Sequence, residues 1–191
     1  MSNKVKYGLS NVYYSTITEE VDANTGQTTY AYAAPKKLPG AVELALEAQG
    51  ETVKKRADNM DYYVSVANNG YSGDLTMAKF PETFLTEVLG VTKAANGVMS
   101  EYSNVKPKGF ALLFQFEGDA NAIRHALYNC KCTRPDVSSA TTEDNIETKD
   151  EKITITASPR ADYLIKGSVD ASVAAVYENW FKAVTLPGAA S

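Results

Sequence analysis

Few residues in this chain are of types that do chemistry, and their spacing limits what they can do. His125 is the only histidine, and Cys130 and Cys132 are the only cysteines. A structural zinc site needs about four convergent ligands, which these residues do not supply. On an extended segment Cys130 and Cys132 share one face, whereas His125 has the opposite parity and points away. Alternate Cα atoms of a strand lie roughly 6.6 Å apart with parallel side chains, a poor geometry for a mutual disulfide. Two buried thiols acting as small apolar groups are therefore expected, with His125 in a structural role. Glu43 with Glu47, or Glu143 with Asp144, could be drawn as an acid and a base, but nothing in the pattern places either pair in a cleft. The glycine-rich NNGYSGD of 68–74 lacks the lysine and the following helix of a phosphate-cradling loop, and there is no GxSxG or GxGxxG. Thr52–Arg56, TVKKR, lies between Glu51 and Asp58 and reads as a mixed-charge surface for protein contact rather than a nucleic-acid patch. No catalytic residue, cofactor or metal ligand is predicted. The expectation is assembly.

The chain has 191 residues, 44% of them apolar and 22% charged. That is ordinary globular usage, with enough apolar material for one domain over 1–191 around a single core. A formal charge of −4 argues against a protein that grips nucleic acid. No stretch approaches the roughly 18 apolar residues of a membrane span, and the start, MSNKVKYGLSNVYY, lacks the apolar core of a signal peptide. A reducing cytoplasm with no membrane contact is the expected setting.

The elements that must position these residues are mostly strands. Twelve tyrosines and frequent threonines favour a pleated, half-buried surface. Residues 11–17 carry apolar groups on both faces and predict a strand covered on both sides. DANTGQ at 22–27 predicts a turn, and a strand resumes over 28–33. After Pro39-Gly40, residues 41–48 alternate, with Val42, Leu44, Leu46 and Ala48 on one face and Glu43 and Glu47 on the other. A turn at 49–51, a basic segment at 52–56 and an apolar run at 62–67 together predict a hairpin over 41–67 with a charged outer end. Asn68-Asn69-Gly70 is a second turn signal leading into a strand at 71–80, so a meander of three strands is expected.

Pro81–Leu89 has helical spacing, with Pro81 suited to the first helical position and Gly90 to the residue just past the end. A short strand at 98–102 is expected, and Phe110–Glu117, with four large apolar residues on one face, is the best core strand. Residues 122–133 are ambiguous between strand and helix, and their context favours strand. The acidic, Ser/Thr-rich stretch 135–151 predicts an exposed loop. Strands follow at 152–158 and 163–169. A helix over 172–184 is expected to present Val173, Val176, Tyr177, Trp180, Phe181 and Val184 as one stripe.

The segments LPGAVELAL, DNMDYYVSVANNGYSGDL, FALLFQFEGD, RHALYNC, ITITASPR and VYENWFKAV, in this order, resemble the phi13-type major tail protein family of long, non-contractile-tailed bacteriophages. The resemblance covers about residues 5–187. It implies a mainly β tail-tube fold, a β-sandwich or half-barrel with a short flanking helix and a C-terminal helix. It further implies a structural protein of the virion tail, made and assembled in the host cytoplasm, whose copies form hexameric rings stacked into a tube for genome delivery. Its partners would be further copies of itself, the tape measure protein, the tail terminator and distal tail proteins, with DNA passing through the lumen without specific binding. By position in the order, the 41–67 hairpin is the expected contact between rings, carried by Glu51, Lys54, Lys55, Arg56 and Asp58, and the loop at 135–151 is second. Acidic side chains are expected to face the lumen, since carboxylates repel phosphate. The competing reading is a monomeric β-sandwich module that binds carbohydrate or a cell-surface receptor through tyrosine-rich strands and long polar loops.

Overall fold

The structure is a computed structural model that describes residues 8–23, 25–57, 59–118, 122–137 and 149–188. In chain order its elements are β1 (Leu9–Val21), β2 (Thr28–Tyr32), β3 (Lys36–Lys37), β4 (Ala41–Gln49), β5 (Thr52–Ala57), β6 (Met60–Val66), β7 (Gly70–Met77), α1 (Glu82–Glu87), β8 (Thr92–Lys93), β9 (Met99–Ser100), β10 (Phe110–Phe116), β11 (Arg124–Cys132), β12 (Glu151–Ala157), β13 (Lys166–Val169) and α2 (Ala174–Asn179). The protein is mainly β, as its composition predicts.

Every described strand pair is antiparallel. The large sheet runs β2-β1-β10-β11-β12-β7-β4, with β13 beside β11 and β3 beside β1. The segment 36–49 thus bonds to β1 through β3 at one end and to β7 through β4 at the other. The sheet therefore curls back on itself.

The central strand β10, FALLFQF, shows why two layers cover this sheet. Phe110, Leu112 and Phe114 face the interior of the curl, where they join Val12, Tyr14, Leu75, Met77, Ile153 and Ile155. Ala111 and Leu113 face the opposite side with Ala126, Tyr128 and Trp180. Burial of each large apolar side chain contributes about 1.5–3 kcal/mol before conformational entropy is counted. Both faces must be covered for that contribution to be kept.

The helix α1 covers the interior. The Phe84 ring meets Tyr14 edge-on at 5.1 Å and Phe110 at 5.7 Å, and stacks on Phe80 at 5.4 Å. Pro81 sits at the N-cap, one position before the expected one, and Gly90 ends the turn with φ of +74°, where the Val91 N–H donates to the Leu85 carbonyl at 3.1 Å. α2 covers the other face. Trp180 Nε1 donates to the His125 carbonyl at 3.3 Å, Phe181 stacks on Tyr13 at 4.8 Å, and the Tyr128 hydroxyl donates to the Thr185 carbonyl at 2.8 Å.

Several expectations are corrected. The helix predicted over 172–184 spans only Ala174–Asn179, and Val173 is exposed. Beyond Asn179 the chain tightens, with the Lys182 N–H bonded three residues back to the Asn179 carbonyl, so Trp180, Phe181 and Val184 still reach the sheet. Tyr163 lies in a turn at φ +64°, and the strand expected from it begins at Lys166. The register shifts between Ala41 and Glu43, which turns Val42 outward while Leu44 and Leu46 stay inward. The larger correction is at 41–77. Gln49–Glu51 and Asn68–Gly70 are not turns: β4 pairs β7, β5 pairs β6, and bonds from Ala67 N to Glu51 O and from Asn69 N to Gln49 O carry the ladder between them. The expected meander is one long two-stranded ribbon that reverses between Ala57 and Met60. Turn-prone residues there only interrupt the pleat, because the cross-strand ladder holds both legs extended.

Candidate self-assembly surface

Three surfaces are left uncovered by the packing of the described residues. The first is the outer part of the ribbon. Among the described residues β5 and β6 pair only with each other, and four large apolar residues on β6 are exposed: Met60 at 62%, Tyr63 at 58%, Val64 at 50% and Val66 at 73%. Apolar side chains clustered in this way mark an interaction surface. Val64 and Val66, two residues apart, share one side of the strand, and Tyr63 takes the other.

The residues expected to make contacts sit on this ribbon. Glu51 is exposed at its base, where its carbonyl accepts from Ala67 N at 3.0 Å. Lys54, Lys55 and Arg56 lie in β5, in register with Val64, Tyr63 and Asp61. Asp58 is outside the described residues, as are residues 138–148 of the acidic loop and the pair Glu143 and Asp144. The structure thus brings Glu51 and the three cations onto one projecting element. The sequence predicts the apolar run of β6 only as strand-forming; its alternation is visible there, but its lack of a covering layer among the described residues is not.

The second surface is a recess of about 210 Å³ at the open side of the curl. Leu44 and Leu46 of β4 and Tyr71 of β7 line one wall, and Phe114, Phe116 and Leu127 the other. His125 and Lys166 complete it, with the Lys166 ammonium 5.5 Å from the Tyr71 ring centre. His125 faces this interior, on the same side as Cys130 and Cys132, contrary to its predicted parity. Phe110 is in register with Cys130 but Leu112 with Leu127, so two residues of β10 span three of β11. That bulge changes the alternation. The imidazole stacks on Phe114 at 5.3 Å and is buried.

The third surface is the polar side of β4, β7 and β12. The registers place Glu43, Ala45 and Glu47 beside Thr76, Asp74 and Ser72, and these beside Lys152, Thr154 and Thr156. Lys152 pairs with Asp74 at 2.6 Å, and the Thr154 hydroxyl donates to Asp74 at 2.9 Å. The Lys152 hydrogen bond holds the Asp74 carboxyl below its usual value. No helix covers this face among the described residues, unlike the face under α2.

Chemistry is sparse around these surfaces. Burial pushes the thiols of Cys130 and Cys132 up, the latter to about 12, so both stay protonated and non-nucleophilic at neutral pH. They are free and buried, as expected. Among the described residues no group of three or more His, Cys, Asp or Glu side chains could hold a metal ion, and no helix is long and apolar enough to cross a membrane.

Compared with known families, the chain matches, over residues 2–185, the one described as phage tail tube protein. No curated protein matches it.

Proposed function

Because the chain belongs to the phage tail tube protein family, and so is a structural component of a virion tail that associates with itself into a tube, we propose that its copies form hexameric rings whose stacking builds the conduit for genome delivery. The observation that carries this reading is the uncovered ribbon. A two-stranded projection with four exposed apolar residues is a liability on a monomer and an attachment point in an assembly. In this reading the whole chain acts as one tail-tube domain, and the ribbon, with Glu51, Lys54, Lys55, Arg56 and Asp58, makes the contact between rings.

The polar side of β4, β7 and β12 is assigned to the lumen. Its carboxylates, Glu43, Glu47 and Asp74, outnumber the lysine Lys152 among those strands, and its threonines and serine offer DNA no cationic grip. The tape measure protein, the tail terminator and distal tail proteins are the other proposed partners, with assembly in the host cytoplasm. Electron microscopy of the purified chain over a range of concentration and salt, alone and with tail-initiating proteins, tests the proposal. Rings and tubes are expected. A chain that stays monomeric under all these conditions overturns it, and glycan binding by that monomer would favour a recognition module instead.

A further inference from the structure

The recess and the ribbon are complementary features of one chain. Among the described residues β4 has its long strand partner, β7, on one side only, and Leu44 and Leu46 form the wall of the recess beneath its open edge. An extended segment laid along that edge would bond its backbone to β4 and drop alternate side chains into the recess. β6 has the required pattern, with Val64 and Val66 exposed at two-residue spacing and, among the described residues, β5 as its one strand partner. In its own chain β6 continues into β7, on the paired side of β4, and cannot reach the open edge.

Building on the tube reading, we propose that β6 of one copy adds to the β4 edge of a neighbouring copy and seats Val64 and Val66 against Leu44, Leu46, Phe114 and Phe116. An interface joining two different patches of one chain is heterologous, so it propagates from copy to copy instead of closing as a pair. A tube needs that property.

With Val64 and Val66 in the recess, Tyr63 and Ser65 come to the polar side beside Ala45 and Glu47. The test mixes two variants, one carrying Ala45→Cys or Glu47→Cys and the other Tyr63→Cys or Ser65→Cys; the native thiols are buried and do not compete. Mild oxidation of the assembled material is expected to give a covalent heterodimer in at least one of these pairings. Leu46→Glu and Val64→Glu, each checked by circular dichroism for an intact fold, should lower the assembled fraction roughly tenfold or more, because a carboxylate would enter an apolar recess. If either variant unfolds, the cross-link remains as an independent readout. Tubes that grow while no pairing cross-links and folded Leu46→Glu assembles normally overturn this inference and leave the tube reading standing. Cross-linking of the β4 positions to Val5→Cys in place of β6 also overturns it, by giving the edge to the N-terminal segment. A wild-type chain that never assembles removes the tube reading first, and this inference with it.

Discussion

Tyr14, Glu87 and Lys36 show how one polar cluster fastens a short helix to a sheet. The Tyr14 hydroxyl donates to Glu87 at 3.0 Å, and Lys36 forms an ion pair with the same carboxylate. Burial pushes the Tyr14 phenol up to about 12, so it remains a donor at neutral pH. The Lys36 hydrogen bond, followed by that of Tyr14 among the stabilising contacts, holds Glu87 below its ordinary value of 4.5. A carboxyl lowered in the folded state contributes stability that is full above the unfolded value and is lost as pH falls through the folded one. The stability difference between wild type and Glu87→Gln should therefore be full near neutrality and shrink progressively as pH falls below the ordinary glutamate range, as unfolding midpoints across pH would show. On the opposite face Trp180 fills the space between α2 and the sheet, and Trp180→Ala should cost about 3–5 kcal/mol in a denaturant titration. The burial of both cysteines was legible in the sequence from residue type and context. The side on which His125 lies was not, because a one-residue bulge in β11 leaves no mark in the alternation of its own strand.

Short elements here hold their shape through what they pack against. α1 and α2 have six residues each, too few to be stable alone. The pattern located both, and the length of α2 was settled by how the chain must turn to bring Trp180 and Phe181 inward. The ribbon depends on the β4–β7 ladder at its root. There a Cβ on Gly73 would come within 1.9 Å of the Ala45 carbonyl oxygen, so Gly73→Ala should force the strands apart and cost about 1–3 kcal/mol in thermal or denaturant unfolding. Removing Gln49–Asp58 would take away β5 and leave β6 without its partner. Replacing 51–67 with a tight turn is the cleaner excision. That variant should keep the unfolding cooperativity of the body yet fail to extend tubes in electron micrographs. Normal tubes from it would remove the ribbon from the proposed contact between rings.

At the scale of the whole molecule, a curled sheet with one face under a helix and another left polar has an inside and an outside before any partner arrives. If the polar side of β4, β7 and β12 lines a channel, its charge should govern how DNA moves past it. Glu43→Lys together with Glu47→Lys adds two charges at each site and takes the chain from −4 to 0. Tubes of that variant should retain DNA at low salt and release it as salt rises, in filter-binding or sedimentation assays. Equal DNA retention by variant and wild type would move the lumen to another face. The sequence by itself determined strand-rich structure, the core strand β10 and the two helix positions, because alternation and helical spacing are local properties of the chain. The run of words resembling a tail protein family was likewise there to be read, and the family match covers nearly the whole chain. Only the tertiary structure decided that β4 and β7 are the legs of one ribbon, that Val64 and Val66 are exposed among the described residues, and that His125 faces a recess. Each of these depends on which strands, distant in sequence, meet and in what register, and local residue patterns do not carry that information.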